Sequence, residues 1–214
     1  MYVHNAFKID RPRAIALLRQ RAFGMLVVPA PNAPAAVHVP FLVNEGPNEK
    51  LSLELHIARA NSLHTMIGDG GKVLLICQGA DAYISPDWLG VPNQVPTWTY
   101  QAVHLTGTVR RQPDEETPAH LARLSAYFEQ RLLPKQPWTM DKLDDDRRTM
   151  LQKVIVPIVI EVETIEAQHK LIQHKGETEH TGAIAGLRGG LDAGSHVIAD
   201  LMQETARQKF GGFG

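Results

Sequence analysis

The run from His56 to Asn61, His-Ile-Ala-Arg-Ala-Asn, contains the residue types best suited to binding a phosphate group. It is predicted to close a strand and to lead into a short helix. Arg59 can donate two parallel hydrogen bonds to a phosphate, and Asn61 can donate another or cap the helix. Backbone N–H groups at the helix start would also attract an anion. A strand end with an exposed arginine and a capping asparagine would use the same residues, so the residues alone leave both interpretations open.

A second group of candidate residues is aromatic and surrounds a proline-rich loop predicted from Pro86 to Pro96. Its members are Tyr83, Trp88, Trp98 and Tyr100. Such rings can stack on a flat heterocycle or bury a contact between subunits. Ordinary packing at the end of a barrel would use them equally well, so both interpretations stay open here too.

Metal and nucleophile chemistry is not favoured by the remaining residues. The chain has ten histidines, but no two have the spacing of metal ligands on a helix, and a lone strand histidine such as His38 usually has a structural role. The one cysteine, Cys77, lies in an apolar run and is predicted to be buried. Ser85 lacks the glycines of a nucleophile motif, and no glycine-rich phosphate loop follows a strand.

The composition predicts a folded protein that does not specialise in nucleic-acid binding. The chain has 214 residues, of which 43% are hydrophobic, and its formal net charge is −1. Lysine and arginine are dispersed, with no cluster longer than two, so direct DNA binding is not expected. We find neither a signal-peptide pattern nor an apolar run long enough to span a membrane, which predicts a cytoplasmic protein.

The order of predicted elements indicates a mainly β protein with peripheral helices, an α+β chain whose antiparallel strands close into a small barrel. Helices are predicted from Asp10 and over 62–67, 115–133, 142–151 and 195–209, and strands over 23–28, 35–43, 51–57, 72–78, 81–85, 97–109 and 154–165. The strands 72–78 and 81–85 are predicted to form a hairpin around Gly79-Ala80. We expect a barrel domain over 1–175 with inserted helices at about 114–151. Residues 176–214 are expected to be a connector and an amphipathic helix, with a flexible glycine-rich stretch at Gly186–Gly194 and a tail at Gly211–Gly214.

Several motifs, taken in order, resemble the PaiB family of FMN-binding proteins, which are negative transcriptional regulators. The resemblance extends from Met1 to about Leu201. It rests on the opening 1–7, the second-strand motif 36–41, the run 56–61, the aromatic motifs 81–88 and 95–100, Pro137-Trp138, and Lys170-Leu171.

The resemblance implies an antiparallel split β-barrel of the FMN-binding type, in which two subunits form a homodimer and hold FMN in the groove between them. Carried over by position, it implies cofactor-binding roles for Arg59, Ala60, Asn61 and Ser62 at the phosphate, His38 at the isoalloxazine ring, Trp98 and Tyr100 at the dimer groove, and Lys170 near the flavin or the interface. The chain departs from the family pattern at Ser62, where the family has proline, and at Leu89, Thr99, Ile172 and His174.

Two functions follow from this resemblance. The first is an FMN-binding regulatory protein, whose repression would be indirect because the chain lacks a basic surface pattern. The alternative is a flavin-dependent oxidoreductase acting on a small molecule, with His38, Tyr100 or Lys170 as the available proton donors. A weaker third hypothesis is haem binding, which some split barrels perform.

Overall fold

The computed structural model describes residues 1–211, which contain six α-helices and six β-strands. The helices are α1 (Arg11–Arg21), α2 (Leu63–Ile67), α3 (Thr117–Gln130), α4 (Asp145–Lys153), α5 (Glu177–Arg188) and α6 (Ala193–Phe210). The strands are β1 (Phe23–Val28), β2 (Ala35–Glu45), β3 (Leu51–Ala58), β4 (Lys72–Ile84), β5 (Thr97–Arg111) and β6 (Ile155–Lys170). No helix within this range is long and apolar enough to cross a membrane.

The six strands form a closed antiparallel barrel in the order β1-β2-β3-β6-β5-β4, which confirms the predicted fold class. Sequence neighbours β1, β2 and β3 pair in succession, as hairpin-linked strands do. The last strand, β6, then pairs with β3, so that Ala58 lies opposite Ile155. This register brings the end of β3, where the predicted phosphate motif lies, beside the start of β6.

The period-of-two alternation of β2 and β3 determines which side chains fill the barrel. Leu51, Leu53, Leu55 and Ile57 are all buried, as the alternation of β3 predicts. On β2, Val39 and Phe41 are likewise buried, whereas His38, immediately before Val39, is exposed.

The predicted hairpin around Gly79-Ala80 is wrong, because β4 runs without interruption from Lys72 to Ile84. The glycine serves a close contact between strands rather than a turn. A Cβ atom on Gly79 would lie 2.7 Å from the side-chain oxygen of Gln101 on β5. A residue without a side chain is therefore needed in mid-strand.

The chain folds into two compact units, each built from segments that are distant in the sequence. The first unit contains Met1–Leu17, Gln78–Val103 and the chain from Glu166 onward, and the second contains Leu18–Cys77 and His104–Ile165. The first unit has its own apolar cluster, in which Ile84, Leu89 and residues of α5 and α6 are packed together. The predicted domain boundary at residue 175 stays a prediction.

The flexible stretch predicted at Gly186–Gly194 is wrong at both ends, because α5 continues to Arg188 and α6 begins at Ala193. Two glycines within α5 lower its helix propensity and hide it in the sequence. Packing of α5 against the 3-10 helix Pro86–Leu89 supplies the missing stability. The predicted tail lies outside the described residues except for Gly211.

Candidate functional site

Arg59 follows β3 in the second unit and is anchored to the start of β6. Its backbone N–H donates to the carbonyl of Val154 at 2.8 Å, and its Nε donates to that of Lys153 at 2.9 Å. Its Nη2 donates to the carbonyl of Ile155 at 3.0 Å and to both carboxylate oxygens of Asp114 at 3.0 and 3.1 Å. Within residues 1–211, Nη1 has no hydrogen-bond partner, and the side chain is 35% exposed. The guanidinium therefore keeps one accessible nitrogen in a fixed place.

Asn61 and Ser62 shape the turn between β3 and α2. The Asn61 side-chain oxygen accepts the backbone N–H of Leu63 at 3.0 Å, which accords with the capping interpretation, and its role toward a phosphate stays a prediction. The Ser62 side chain makes no capping hydrogen bond. Since α2 has only five residues and its first N–H is already satisfied, its terminus contributes little to anion binding. Side chains, rather than the helix end, must supply most donors to a phosphate.

A cavity of about 290 Å³ lies beside α2 in the second unit. It is lined by apolar, polar and charged residues, which are His64, Thr65, Ile67, Gly68, Asp69, Val109, Arg111, Val156 and Ile158. The cavity is ample for a phosphate group. The sequence did not indicate Arg111 or His64, because they reach the cavity from different elements.

One arginine, Arg111, and one carboxylate, Asp69, line this cavity. Burial, followed by the positive charges of Arg111 and Arg59, lowers the pKa of His64, which is therefore neutral at neutral pH. Its Nδ1–H donates to the carbonyl of Asn61 at 3.0 Å. Arg111 at the cavity and Arg59, which also acts on His64, are the cationic groups available to an anion here.

A buried polar network connects α3 to β3, the strand that leads to Arg59. The Glu54 carboxylate accepts hydrogen bonds from Arg123 and from His120 Nδ1, the latter at 2.9 Å. His120 Nε2 lies 2.8 Å from His56 Nδ1. Burial acts to raise the pKa of Glu54, but the hydrogen bonds from Arg123 and His120 outweigh it and hold that pKa below its usual value.

His38 lies on the outer surface of the barrel in the second unit. Its ring is stacked on that of Phe23, with the centroids 6.1 Å apart and the planes at 18°. Both rings are exposed, and His38 is paired in register with Met25, which in turn pairs with Ile76 of β4. The structure thus presents an aromatic pair at one edge of a half-exposed apolar sheet face.

Lys170, Tyr100 and Trp98 lie in the first unit. Lys170 Nζ donates to Thr97 Oγ1 at 2.9 Å and lies 5.8 Å from the centre of the Tyr100 ring. Trp98 is 54% exposed and meets Tyr83 edge to face, with the ring centroids 6.2 Å apart. A cation and exposed rings are therefore available for a flat heterocycle.

The turn that follows Lys170 is strained and is held by the two C-terminal helices. Ile172 has φ 55°, a left-handed conformation that costs a β-branched residue about 1–3 kcal/mol. Its carbonyl accepts the backbone N–H of Lys175 at 2.8 Å and His180 Nε2–H, from α5, at 3.2 Å. Lys209, from α6, donates to the carbonyls of Gln173 and Lys175 at 2.7 Å.

The predicted site residues are therefore distributed over both units. His38, Arg59, Ala60, Asn61 and Ser62 belong to the second unit, and Trp98, Tyr100 and Lys170 to the first. The structure brings Arg59, Asn61 and Ser62 together at one turn, and Lys170 and Tyr100 together at another. Their individual roles toward a flavin stay predictions.

Taken unit by unit, Arg59 and Arg111 of the second unit are suited to a phosphate, and the exposed rings of the first unit are suited to a flat heterocycle. The fold is a closed antiparallel barrel of the class found in flavin-binding proteins. Residues 1–164 match the family described as "Putative FMN-binding domain", and the chain belongs to this family. The resemblance to PaiB-type proteins is thereby confirmed, and FMN is the cofactor that the family binds.

One relative matches almost the whole chain, and two solved structures share its fold. The chain is 29% identical over 210 residues to "Protease synthase and sporulation protein PAI 2" of Bacillus subtilis (strain 168), covering 98% of this chain and 100% of the relative. An FAD- and heme-binding protein from Mycobacterium smegmatis shares the fold with a TM-score of 0.54 and 13% identity, covering 78% of this chain and 74% of the other. A conserved hypothetical protein from Mycobacterium tuberculosis has a TM-score of 0.54 and 13% identity, with coverage of 79% and 91%.

Proposed function

We propose that this chain is an FMN-binding regulatory protein that acts as a homodimer in the cytoplasm. The observation that carries the proposal is the similarity to PAI 2 of Bacillus subtilis along essentially the whole of both chains. The name of that relative refers to protease synthesis and sporulation. A single cysteine, buried at Cys77, also accords with a reducing compartment.

In this proposal the phosphate of FMN is held at the cavity beside α2. Arg111 lines the cavity, Arg59 is linked to Arg111 through their shared partner Asp114, and Asn61 and Ser62 lie at the turn before α2. Bound FMN supplies the redox chemistry of the protein. The residues of the chain bind and orient the flavin, and the anchored Arg59 side chain needs little reordering to do so.

Replacing Arg59 with alanine tests the phosphate assignment. We expect the Kd for FMN to rise about 100-fold, because a charge-assisted contact with the phosphate is lost. Riboflavin has no phosphate, so its Kd should change little. Both constants are measured by quenching of flavin fluorescence at a temperature where the variant is folded.

Arg110→Ala is the matched control, since Arg110 pairs with Glu161 and, unlike Arg59 and Arg111, is not paired with Asp114 among the described residues. Its FMN affinity should equal that of the wild type. Equal weakening of FMN and riboflavin in Arg59→Ala, or no weakening at all, would contradict the phosphate assignment.

The homodimer is supported by the outer face of β1, β2 and β4. Phe23 is 44% exposed, and Met25, Val27, Leu74 and Ile76 are half-buried on the same face. An apolar sheet face of this kind favours burial against a second subunit. The stacked pair of Phe23 and His38 would then lie close to the subunit boundary.

Regulation is proposed to act through a partner rather than through direct contact with DNA. The net charge is −1, and the lysines and arginines of the chain are not clustered. We expect the purified protein at micromolar concentration and physiological salt not to change the fluorescence anisotropy of a labelled duplex DNA. Saturable binding to the duplex, with a steep salt dependence, would contradict indirect regulation.

A further inference from the structure

Asp114 lies between Arg59 and Arg111, the two arginines that the proposed function assigns to the phosphate. It follows β5 at the start of a short 3-10 helix, Asp114–Glu116, and its side chain is 57% exposed. Both of its carboxylate oxygens accept from Arg59 Nη2, and Arg111 Nη2 lies 3.9 Å from Oδ1. One carboxylate thus serves as counter-ion to both guanidinium groups that the proposed function assigns to the phosphate.

The position of the Arg59 side chain does not depend on Asp114. Nε is held by the carbonyl of Lys153, and Nη2 is held separately by the carbonyl of Ile155. Since these two carbonyls belong to nearby residues of one chain segment, they determine the plane of the guanidinium without help from the carboxylate. Removal of the negative charge should therefore leave Arg59 where it is.

We infer that Asp114 is an internal competitor of the ligand phosphate, a residue that limits the affinity for phosphorylated flavin and makes that affinity selective for strongly charged ligands. This inference rests on the proposed function. A phosphate that approaches Arg59 must displace the carboxylate from Nη2 or bind beside it against like-charge repulsion. A phosphate dianion has more charge with which to overcome that barrier than a singly charged anion has.

Asp114→Asn removes the charge and keeps a side chain of nearly the same size. We expect this variant to bind FMN about tenfold more tightly than the wild type at low salt. The Kd for riboflavin should stay within about twofold, because the change concerns only the phosphate. The gain for FMN should shrink as sodium chloride is raised, since both partners are partly exposed.

Glu115→Gln is the matched control, because it removes the same charge from the next residue, which is not among the described partners of Arg59 or Arg111. Its affinities for FMN and riboflavin should stay at the wild-type values. Unchanged or weaker binding of FMN by folded Asp114→Asn would overturn the inference. An equal gain in Glu115→Gln would also overturn it, because the effect would then be one of net charge.

Inorganic phosphate separates this inference from the proposed function. If neither the wild type nor Asp114→Asn binds FMN or riboflavin, the proposed function fails. The competition by Asp114 is then tested by the rise of Tm with added phosphate, compared with sodium chloride at matched ionic strength. A larger rise in Asp114→Asn than in the wild type supports the competition. Equal rises overturn it.

Discussion

Replacing Gly182 with alanine is expected to destabilise the protein by about 3 kcal/mol or more, because the added methyl group collides with backbone. A Cβ atom on Gly182 would lie 1.8 Å from the carbonyl oxygen of Trp88. Four residues later on the same helix face, a Cβ on Gly186 would lie 2.2 Å from the Trp88 ring. Helix α5 cannot keep its place against the 3-10 helix Pro86–Leu89 with a side chain at Gly182.

Gly189→Ala provides the matched control for this prediction. Gly189 caps α5 with φ −79°, and the nearest atom to an added Cβ is 3.5 Å away. We expect it to change the free energy of unfolding by less than about 0.5 kcal/mol. Urea unfolding followed by circular dichroism measures both variants, and equal stability of Gly182→Ala and Gly189→Ala would show that α5 does not pack closely against Trp88.

Mild acid is expected to weaken the fold because two partly buried histidines resist protonation. Burial, followed by the neighbouring charge of His120, lowers the pKa of His56 to about 4, and burial, followed by Arg13, does the same for His169. The usual pKa is 6.5, so the unfolded chain takes up protons first as the pH falls. Stability is therefore complete above pH 6.5 and decreases as the pH falls toward 4.

Each histidine can contribute a loss of up to about 2 kcal/mol between about pH 7.5 and about pH 5, measured as the free energy of unfolding in urea. Burial also lowers the pKa values of His64, His174 and His180, which act in the same direction. His169→Gln should reduce the pH dependence by one histidine's share, whereas His196→Gln, on the exposed face of α6, should leave it unchanged. A stability that is flat between these pH values would refute this account.

The barrel was predictable because strand signals are local. Alternation placed Leu53 and Leu55 inside the barrel, and successive strands without intervening helices indicated antiparallel pairing. The errors occurred where tertiary contacts overrule local preference. Gly79 suggests a turn until its contact with Gln101 is known, and the glycines of α5 suggest a connector until their contact with Trp88 is known.

The candidate site was predictable only on the chain segment that carries its motif. Arg59 and Asn61 were identified from residue type and position at a strand end. Asp114 and Arg111, which complete the charge arrangement, lie more than fifty residues away and have no local pattern that marks them. The pairing of β3 with β6 supplies the anchoring carbonyls, and a contact of that kind depends on the closed barrel rather than on any short run of residues.

The buried Cys77 thiol is a natural probe of how often the barrel opens locally at β4. Cys77 is the one cysteine of the sequence, it is fully buried, and burial raises the pKa of its thiol to about 11. The thiolate that reacts with labelling reagents is therefore scarce and shielded while β4 stays in the barrel. The rate at which a thiol reagent modifies the native protein reports how often that strand is released, with no engineered probe required.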